Sequence, residues 1–506
     1  MEVDSLPHPT IVLWKRRWFV LFAAHALQLA FLLWIAAHAK VCCDVTDYYI
    51  PAGRSIIHDG LLWQDPYAGY RFYFVPMVFG LLEEMLGAFG RSASIVESMP
   101  FALAGMLCLM SLLASSYIAC REGMRRWAMF AIPLLFNPFV LAVVPYALQE
   151  SVVVIFCMPL LFVLLARRQQ DFRWTCIVAG LFASIVFVAR SSLVWVALPA
   201  LLFVACQSSG RNFRTILQGA ALAFVVSIAL IWPQCYISWQ KFGTLNPLSQ
   251  TAVGQSQIAY GVEMLHFSAT FTEGKFSPFT IWSPYHELPL SEQNSAFYLN
   301  HPKEGLFLVI THVWSGLHYV AVVPYIPEAD ISIVNLWLLG SAVIVCFGAL
   351  GLPRLFVPGE RGAALMLAGL TILSCVYTAF VATENRFGLI GFAALSVAGW
   401  QLVTNPDERG FCLRALPLVI VYAALCVAFN ALLLYRTSLP WPNNEKNTER
   451  VGASSPGLFT PRLCEHRQSC FSTPTLRTRA LLGSATFAKA EMDSGHATVR
   501  GASSDV

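Results

Sequence analysis

Apolar blocks about 20 residues long, nearly free of charge and separated by short polar or basic loops, constrain this chain more than any other feature. A helix rising ~1.5 Å per residue needs about that length to cross a ~30 Å hydrocarbon core. Of the residues, 57% are hydrophobic and only 12% are charged, roughly half the charged share of an ordinary soluble domain. So few charges cannot coat a globule of this size. Lipid is therefore the expected solvent for most of the chain, and the expected fold class is all-α, a polytopic membrane helix bundle.

The blocks run near Trp18 to His38, Ser94 to Ile118, Ala128 to Val144, Ser151 to Leu165, Thr175 to Ala189, Leu193 to Ala205 and Ile216 to Trp232, then Ile333 to Leu350, Ala364 to Ala382, Leu389 to Val403 and Leu416 to Tyr435. They predict about 11 spans. The first follows Lys15, Arg16 and Arg17, but it is too long for the apolar core of a signal peptide and is followed by a poor small-residue cleavage site, so it reads as an uncleaved span.

Lys and Arg collect on the cytoplasmic side of short loops. With the N-terminus inside, the clusters Lys15-Arg16-Arg17, Arg121/Arg125/Arg126, Arg167/Arg168/Arg173, Arg211/Arg214, Arg354/Arg361 and Arg409/Arg414 share that side. They do so only if Gly305 to Tyr325, with its His, Trp and Pro residues, is an interfacial helix and not a span. The same reasoning puts Phe74 to Phe89 at the outer surface, with Glu83 and Glu84 on a solvated face. Two long segments are then left outside, about Ala39 to Arg71 and Gln234 to Glu304, and long polar segments on such a scaffold are where function resides. Residues 1–435 form the expected membrane domain. Residues 436–506 read as a disordered polar tail, rich in Ser, Thr and Arg.

The net charge of +4 is small and its basic residues are dispersed, which argues against nucleic acid as a partner. Most of the 14 cysteines lie inside apolar blocks, where a thiol is a small hydrophobe, and form no disulfide framework. No Gly-rich nucleotide loop or dinucleotide fingerprint is present, which disfavours a nucleotide-sugar donor.

Just past the first block the chain reads Asp44-Val45-Thr46-Asp47-Tyr48-Tyr49-Ile50-Pro51-Ala52-Gly53-Arg54, then continues through Gly60, Asp65-Pro66-Tyr67 and Phe72-Tyr73-Phe74-Val75-Pro76. A carboxylate at the mouth of a membrane helix, beside aromatic rings and lipid, is desolvated and suited to accept a proton from a sugar hydroxyl. Asp44 and Asp47 equally suit the capping of a short interfacial helix. Their spacing is not the close Asp-x-Asp arrangement that holds a divalent ion, so no cofactor is expected, although a divalent metal requirement stays open.

This order of Asp, Tyr-Tyr, Ala-Gly-Arg, Gly, Asp-Pro-Tyr and an aromatic-Pro helix start resembles the first outer loop of GT-C-type glycosyltransferases. It is most similar to the polyprenyl-phosphate-sugar-dependent branch that includes the bacterial mannosyltransferases. The stretch Trp232 to Gly243, His301-Pro302 and Glu384-Asn385-Arg386-Phe387 are similar to later loops in that family. The resemblance covers Trp18 to about Val403. It implies a general base a few residues before the Tyr, which selects Asp44 with Asp47 in reserve, because the register from the acid to Ala52-Gly53 is one residue longer than the family pattern. It also implies a polyprenyl-phosphate-linked sugar donor, a lipid or glycan acceptor, and an inner-membrane enzyme whose site faces the periplasm or exterior.

For the donor phosphate or substrate the candidates are Arg386, Arg190, His301, Tyr48 and Glu384. Arg386 at the outer end of a span could hold a phosphate by paired charge-assisted bonds, or pair with Glu384 at the interface. Arg190 could do the same or snorkel to water. His301 suits proton transfer or simply a helix start. Glu150 reads as a helix cap. The alternative function is a transporter or flippase of a lipid-linked saccharide, which calls for ionisable groups along a pathway within the spans, and the mid-span stretches hold almost none.

Overall fold

The structure is a computed structural model. It describes residues 9–39, 41, 44–60, 72–88, 95–167, 171–248, 252–272, 275–286, 288, 292–318, 331–357, 360–381 and 385–438. The chain divides into two compact units, Met1–Leu439 and Pro440–Val506. The second, and with it the expectation for the tail beyond residue 438, lies outside the described residues.

Helix follows helix through the first unit. They are α1 (Pro9–His38), α2 (Ile50–Asp59), α3 (Phe74–Ala88), α4 (Ile95–Glu122), α5 (Met124–Leu135), α6 (Pro138–Leu141), α7 (Gln149–Ala166), α8 (Phe172–Ala189), α9 (Ala197–Gln207) and α10 (Phe213–Phe242). Then α11 (Ala252–Glu263) leads into an antiparallel hairpin, β1 (Met264–Thr272) and β2 (Lys275–Trp282). The remaining helices are α12 (Phe297–Asn300), α13 (Pro302–Leu317), α14 (Ile331–Gly351), α15 (Arg361–Ala379), α16 (Leu389–Thr404) and α17 (Arg409–Ser438).

Every apolar block read from the sequence is helical, and among the described residues 9 helices are long and apolar enough to cross a membrane. The protein is thus an all-α, multi-pass integral membrane bundle. The block near Ala128 to Val144 is α5 and the Pro138–Tyr146 segment bent by 45°, which makes 10 spans if the pair counts as one. Asn137 forms that break, accepting from the Phe139 amide at 3.0 Å ahead of Pro138, as an N-cap before a helix-starting proline does. The block near Leu193 to Ala205 is a tight turn, Ser191–Val196, followed by α9, and is shorter than the other spans.

One long loop departs from expectation. The long loop expected from Gln234 begins only after Phe242, because α10 continues through Pro233 until Gly243 ends it in the left-handed conformation at φ 67°. The loop is also less irregular than its composition implies, holding α11 and the hairpin. The helices expected at the interface do form, as α3 and α13, and neither is among the membrane-crossing helices.

With lipid outside, the hydrophobic effect does not drive helix association, so close packing falls to small residues. A Cβ on Gly348 would lie 2.5 Å from the Leu395 carbonyl oxygen, and one on Gly391 2.6 Å from Ser374 Cβ, so α16 meets α14 and α15 nearly backbone to backbone. Polar side chains join helices inside the bundle. Gln28 of α1 donates to Ser111 of α4 at 3.3 Å and to the Leu135 carbonyl of α5 at 2.6 Å.

At one end of the bundle buried Arg126 gathers three elements. It donates to the last carbonyls of α7, Ala166 at 2.6 Å and Leu165 at 3.1 Å, and to Glu360 ahead of α15 at 2.9 Å. Arg354 pairs with Glu408 at 3.1 Å and lies over the Phe411 ring. These contacts bring together four of the six loops whose basic clusters the sequence assigned to one side, those of Arg126, Arg167, Arg354 and Arg409.

Candidate active site

The opposite end is where α1 exits. Ile35 and Ala39 pack there with Ala142, Tyr146 and Leu148. Asp44–Tyr49 then forms a wide, π-type helical turn that runs directly into α2. Tyr48 and Tyr49 are buried, their rings edge to face at 5.5 Å, and Tyr49 stacks on Phe79 of α3 at 5.6 Å.

The Ala52-Gly53-Arg54 motif has a packing explanation. A Cβ on Gly53 would lie 2.7 Å from the Gly80 nitrogen, and one on Gly80 would lie 2.6 Å from the Gly53 carbonyl carbon. The backbones of α2 and α3 therefore touch where only glycine fits. Arg54 clasps the contact, its Nε donating to both Glu83 carboxylate oxygens at 2.8 Å. Glu83 is consequently buried and paired, not on a solvated face as its semi-apolar helix suggested. Glu84, exposed and 3.4 Å from His58, keeps the expected role.

The chain at Phe72 and Tyr73, ahead of α3, is tied to the same end of the bundle. Phe72 packs edge to face on Phe187 of α8 at 5.1 Å. The Tyr73 amide donates to Gln234 Oε1 at 3.0 Å and its hydroxyl to the Leu230 carbonyl at 2.7 Å. Burial pushes that hydroxyl's pKa up to about 12, so it stays a donor.

Three residues past Phe187 stands Arg190, and around it the principal charged cluster at this end assembles. Arg190 pairs with Glu150, at the start of α7, and with Ser192 through its Nε at 3.1 Å. Arg386, in the tight turn Asn385–Gly388 ahead of α16, reaches the other Glu150 oxygen at 3.4 Å. The Arg190 guanidinium lies 4.2 Å from the centre of the Phe387 ring and that of Arg386 5.5 Å. Side-chain exposure is 9% for Arg190, 5% for Glu150 and 20% for Arg386, so Arg386 is the most exposed of the three.

Local structure explains why the cluster persists. Glu150 sits at the positive end of the α7 dipole, and Arg190 directly follows the negative end of α8. The turn carrying Arg386 is held from below, since a Cβ on Gly388 would meet the Gly316 backbone of α13 with its carbonyl carbon 2.8 Å away. Two sequence readings are thereby corrected. Glu150 does not cap a helix, because its carboxylate is taken by two guanidiniums. Arg190 does not snorkel, because a buried anion holds it in place.

The sequence matches no protein-family model and no curated protein.

The remaining predicted site residues divide. His301 is exposed at the junction of α12 and α13, its ring 4.9 Å from Phe297, and serves as a helix-start residue with no side-chain capping bond. The side chains of Asp44 and Asp47, and all of Glu384, lie outside the described residues, so the expected Arg386–Glu384 pair does too. Among the described residues no group of three His, Cys, Asp or Glu side chains is placed to hold a metal ion.

Sequence reasoning overlooked Glu150 as a partner for the arginines. The signal was present: Glu150 is the only acid between Glu122 and Asp171, as Arg190 is the only base between Arg173 and Arg211 and Arg386 between Arg361 and Arg409. Isolated charges at the ends of membrane helices need partners, and these find one another. A histidine group was also overlooked. His266 of β1 is fully enclosed with neither ring nitrogen hydrogen-bonded, and burial beside His312 pushes its pKa down to about 3. His312 of α13 faces the Ala379 carbonyl at 3.1 Å and the Met264 carbonyl at 3.0 Å, so α13 braces both the hairpin and the end of α15.

Proposed function

We propose that this protein is a GT-C-like glycosyltransferase that moves a hexose, such as mannose, from a polyprenyl-phosphate carrier to a lipid or glycan acceptor on the extracytoplasmic side of the membrane. The observation that carries the reading is the convergence of Arg190 and Arg386 at the end of the bundle where the Asp44–Tyr49 turn leaves α1. An anionic lipid headgroup at the bilayer edge is what two such guanidiniums suit, one buried and one more exposed.

In the proposed reaction the acceptor hydroxyl oxygen attacks the anomeric carbon and passes its proton to Asp44, or to Asp47 in its place. The bond from that carbon to the phosphate oxygen breaks, its electron pair leaves with the polyprenyl phosphate, and arginine charge balances the departing anion. One base and one displacement invert the anomeric centre. The site would face the periplasm or exterior, in keeping with the basic loops gathered at the other end of the bundle.

The test is purified protein in lipid nanodiscs supplied with a labelled polyprenyl-phosphate sugar and candidate acceptors. Release of polyprenyl phosphate with an inverted linkage is expected, falling by at least ~100-fold in Asp44→Asn or Asp47→Asn. Movement of the lipid-linked saccharide across vesicle bilayers without release would establish the transporter reading instead. An Asp44→Asn protein that transfers sugar at the wild-type rate would remove Asp44 from the mechanism.

A further inference from the structure

Of the three charges in the cluster, Glu150 is the one a phosphate-binding site has no evident need for, since a carboxylate repels the ligand the arginines would attract. Its two pairings are unequal. Arg190 is nearly as buried as Glu150, is held also by Ser192, and stacks closely on Phe387. Arg386 is further from the carboxylate at 3.4 Å, further from the ring at 5.5 Å, and more exposed. The backbone beneath Arg386 is pinned by Gly388 against Gly316, so exchange of its partner requires only a side-chain movement. Glu150, for its part, keeps the α7 dipole and Arg190 when Arg386 leaves, and so remains ionised.

We infer that Glu150 is an internal counter-ion: it holds Arg386 while the site is empty, and an incoming lipid phosphate takes Arg386 from it while Arg190 stays behind as its buried partner. This rests on the reading of the arginine cluster as a phosphate site and assigns distinct tasks within it. Arg386 contacts the ligand, Arg190 fixes Glu150, and Glu150 sets the affinity by competing for Arg386. After transfer the competition helps displace the carrier phosphate.

The experiment measures binding of a short-chain polyprenyl monophosphate to the protein in nanodiscs of neutral lipid. Wild type is expected to bind, Arg386→Gln to lose binding, and Glu150→Gln to bind roughly tenfold more tightly with slower release, because the competing charge-assisted bond is gone. A gain in affinity is a readout that a merely structural role for Glu150 would not produce. Wild-type binding with equal or weaker binding by Glu150→Gln overturns the counter-ion role and leaves the phosphate site standing. No binding by folded wild type overturns both. Should Glu150→Gln fail to fold, Glu150→Asp keeps the charge beside Arg190 while its shorter side chain draws back from Arg386, the more distant partner. It is expected to bind more tightly than wild type, and equal or weaker binding there overturns the inference.

Discussion

Substituting Gly53 by alanine probes the contact between α2 and α3. The added Cβ would sit 2.7 Å from the Gly80 nitrogen and 2.9 Å from its Cα, where carbon contacts are ordinarily at roughly 3.5 Å or beyond. Both neighbours are backbone, so no side chain can rotate away and α2 must retreat from α3 by about 1 Å, loosening the Tyr49–Phe79 stack. Over-packing of this kind costs about 1–3 kcal/mol, and the absence of a yielding side chain places the expected loss near the upper end. Gly80→Ala fills the same gap from the other side, its Cβ 2.6 Å from the Gly53 carbonyl carbon. Once the helices have separated for one methyl, the second costs less, so the double variant should fall short of the sum by about 1 kcal/mol. Denaturant titration in mild detergent, followed by tryptophan fluorescence, measures all three variants. A Gly53→Ala protein within about 0.5 kcal/mol of wild type, or additive losses in the double variant, would refute the backbone contact.

At the other end of the bundle, Arg126→Ala should cost about 3 kcal/mol in the same titration, because it strands the α7 carbonyls and removes the charge facing Glu360, while Glu360→Gln, at a third-exposed position, should cost under about 1 kcal/mol. Equal losses would mean that the ion pair, not the cap on α7, is what Arg126 contributes. His266 and His318 are buried and held neutral, their pKa values pushed down to about 3. The unfolded chain, with ordinary values near ~6.5, then binds more protons, so stability is full above about pH 6.5 and is lost as pH falls from there toward about 3. His266→Phe should flatten the decline of the unfolding midpoint between pH 7.5 and 4.5, and an unchanged slope would show that His266 does not titrate with folding. For topology, a cysteine replacing Thr46 should react with an impermeant maleimide from outside intact cells, and one replacing exposed Asp407 only after permeabilisation. The reverse pattern would invert the orientation assumed for the site.

The membrane bundle was legible because hydropathy over about 20 residues is a local property that lipid reads directly. That α3 and α13 stand apart from the candidate spans was legible in the same way, from Glu84 and the His and Pro residues that spoil a span. Boundaries that depend on one residue's backbone were less so, as when α10 passed Pro233 and stopped at Gly243. The strands of the hairpin went unseen although apolar and polar residues alternate from Leu265 to Thr272, because so short an alternation does not name the segment it pairs with.

By itself the sequence determined that this chain lives in lipid and which apolar segments are helical, and it singled out Arg190 and Arg386 as candidates. Only the tertiary structure decided that those two charges meet, and that they meet on Glu150. The physical reason is that a charge buried at a helix end has its partner chosen by how the helices pack. The three residues come from the starts and ends of α7, α8 and α16, separated by up to 236 positions, and no local rule relates them. The same holds for Gly53 and Gly80, whose need for glycine arises only where two backbones touch.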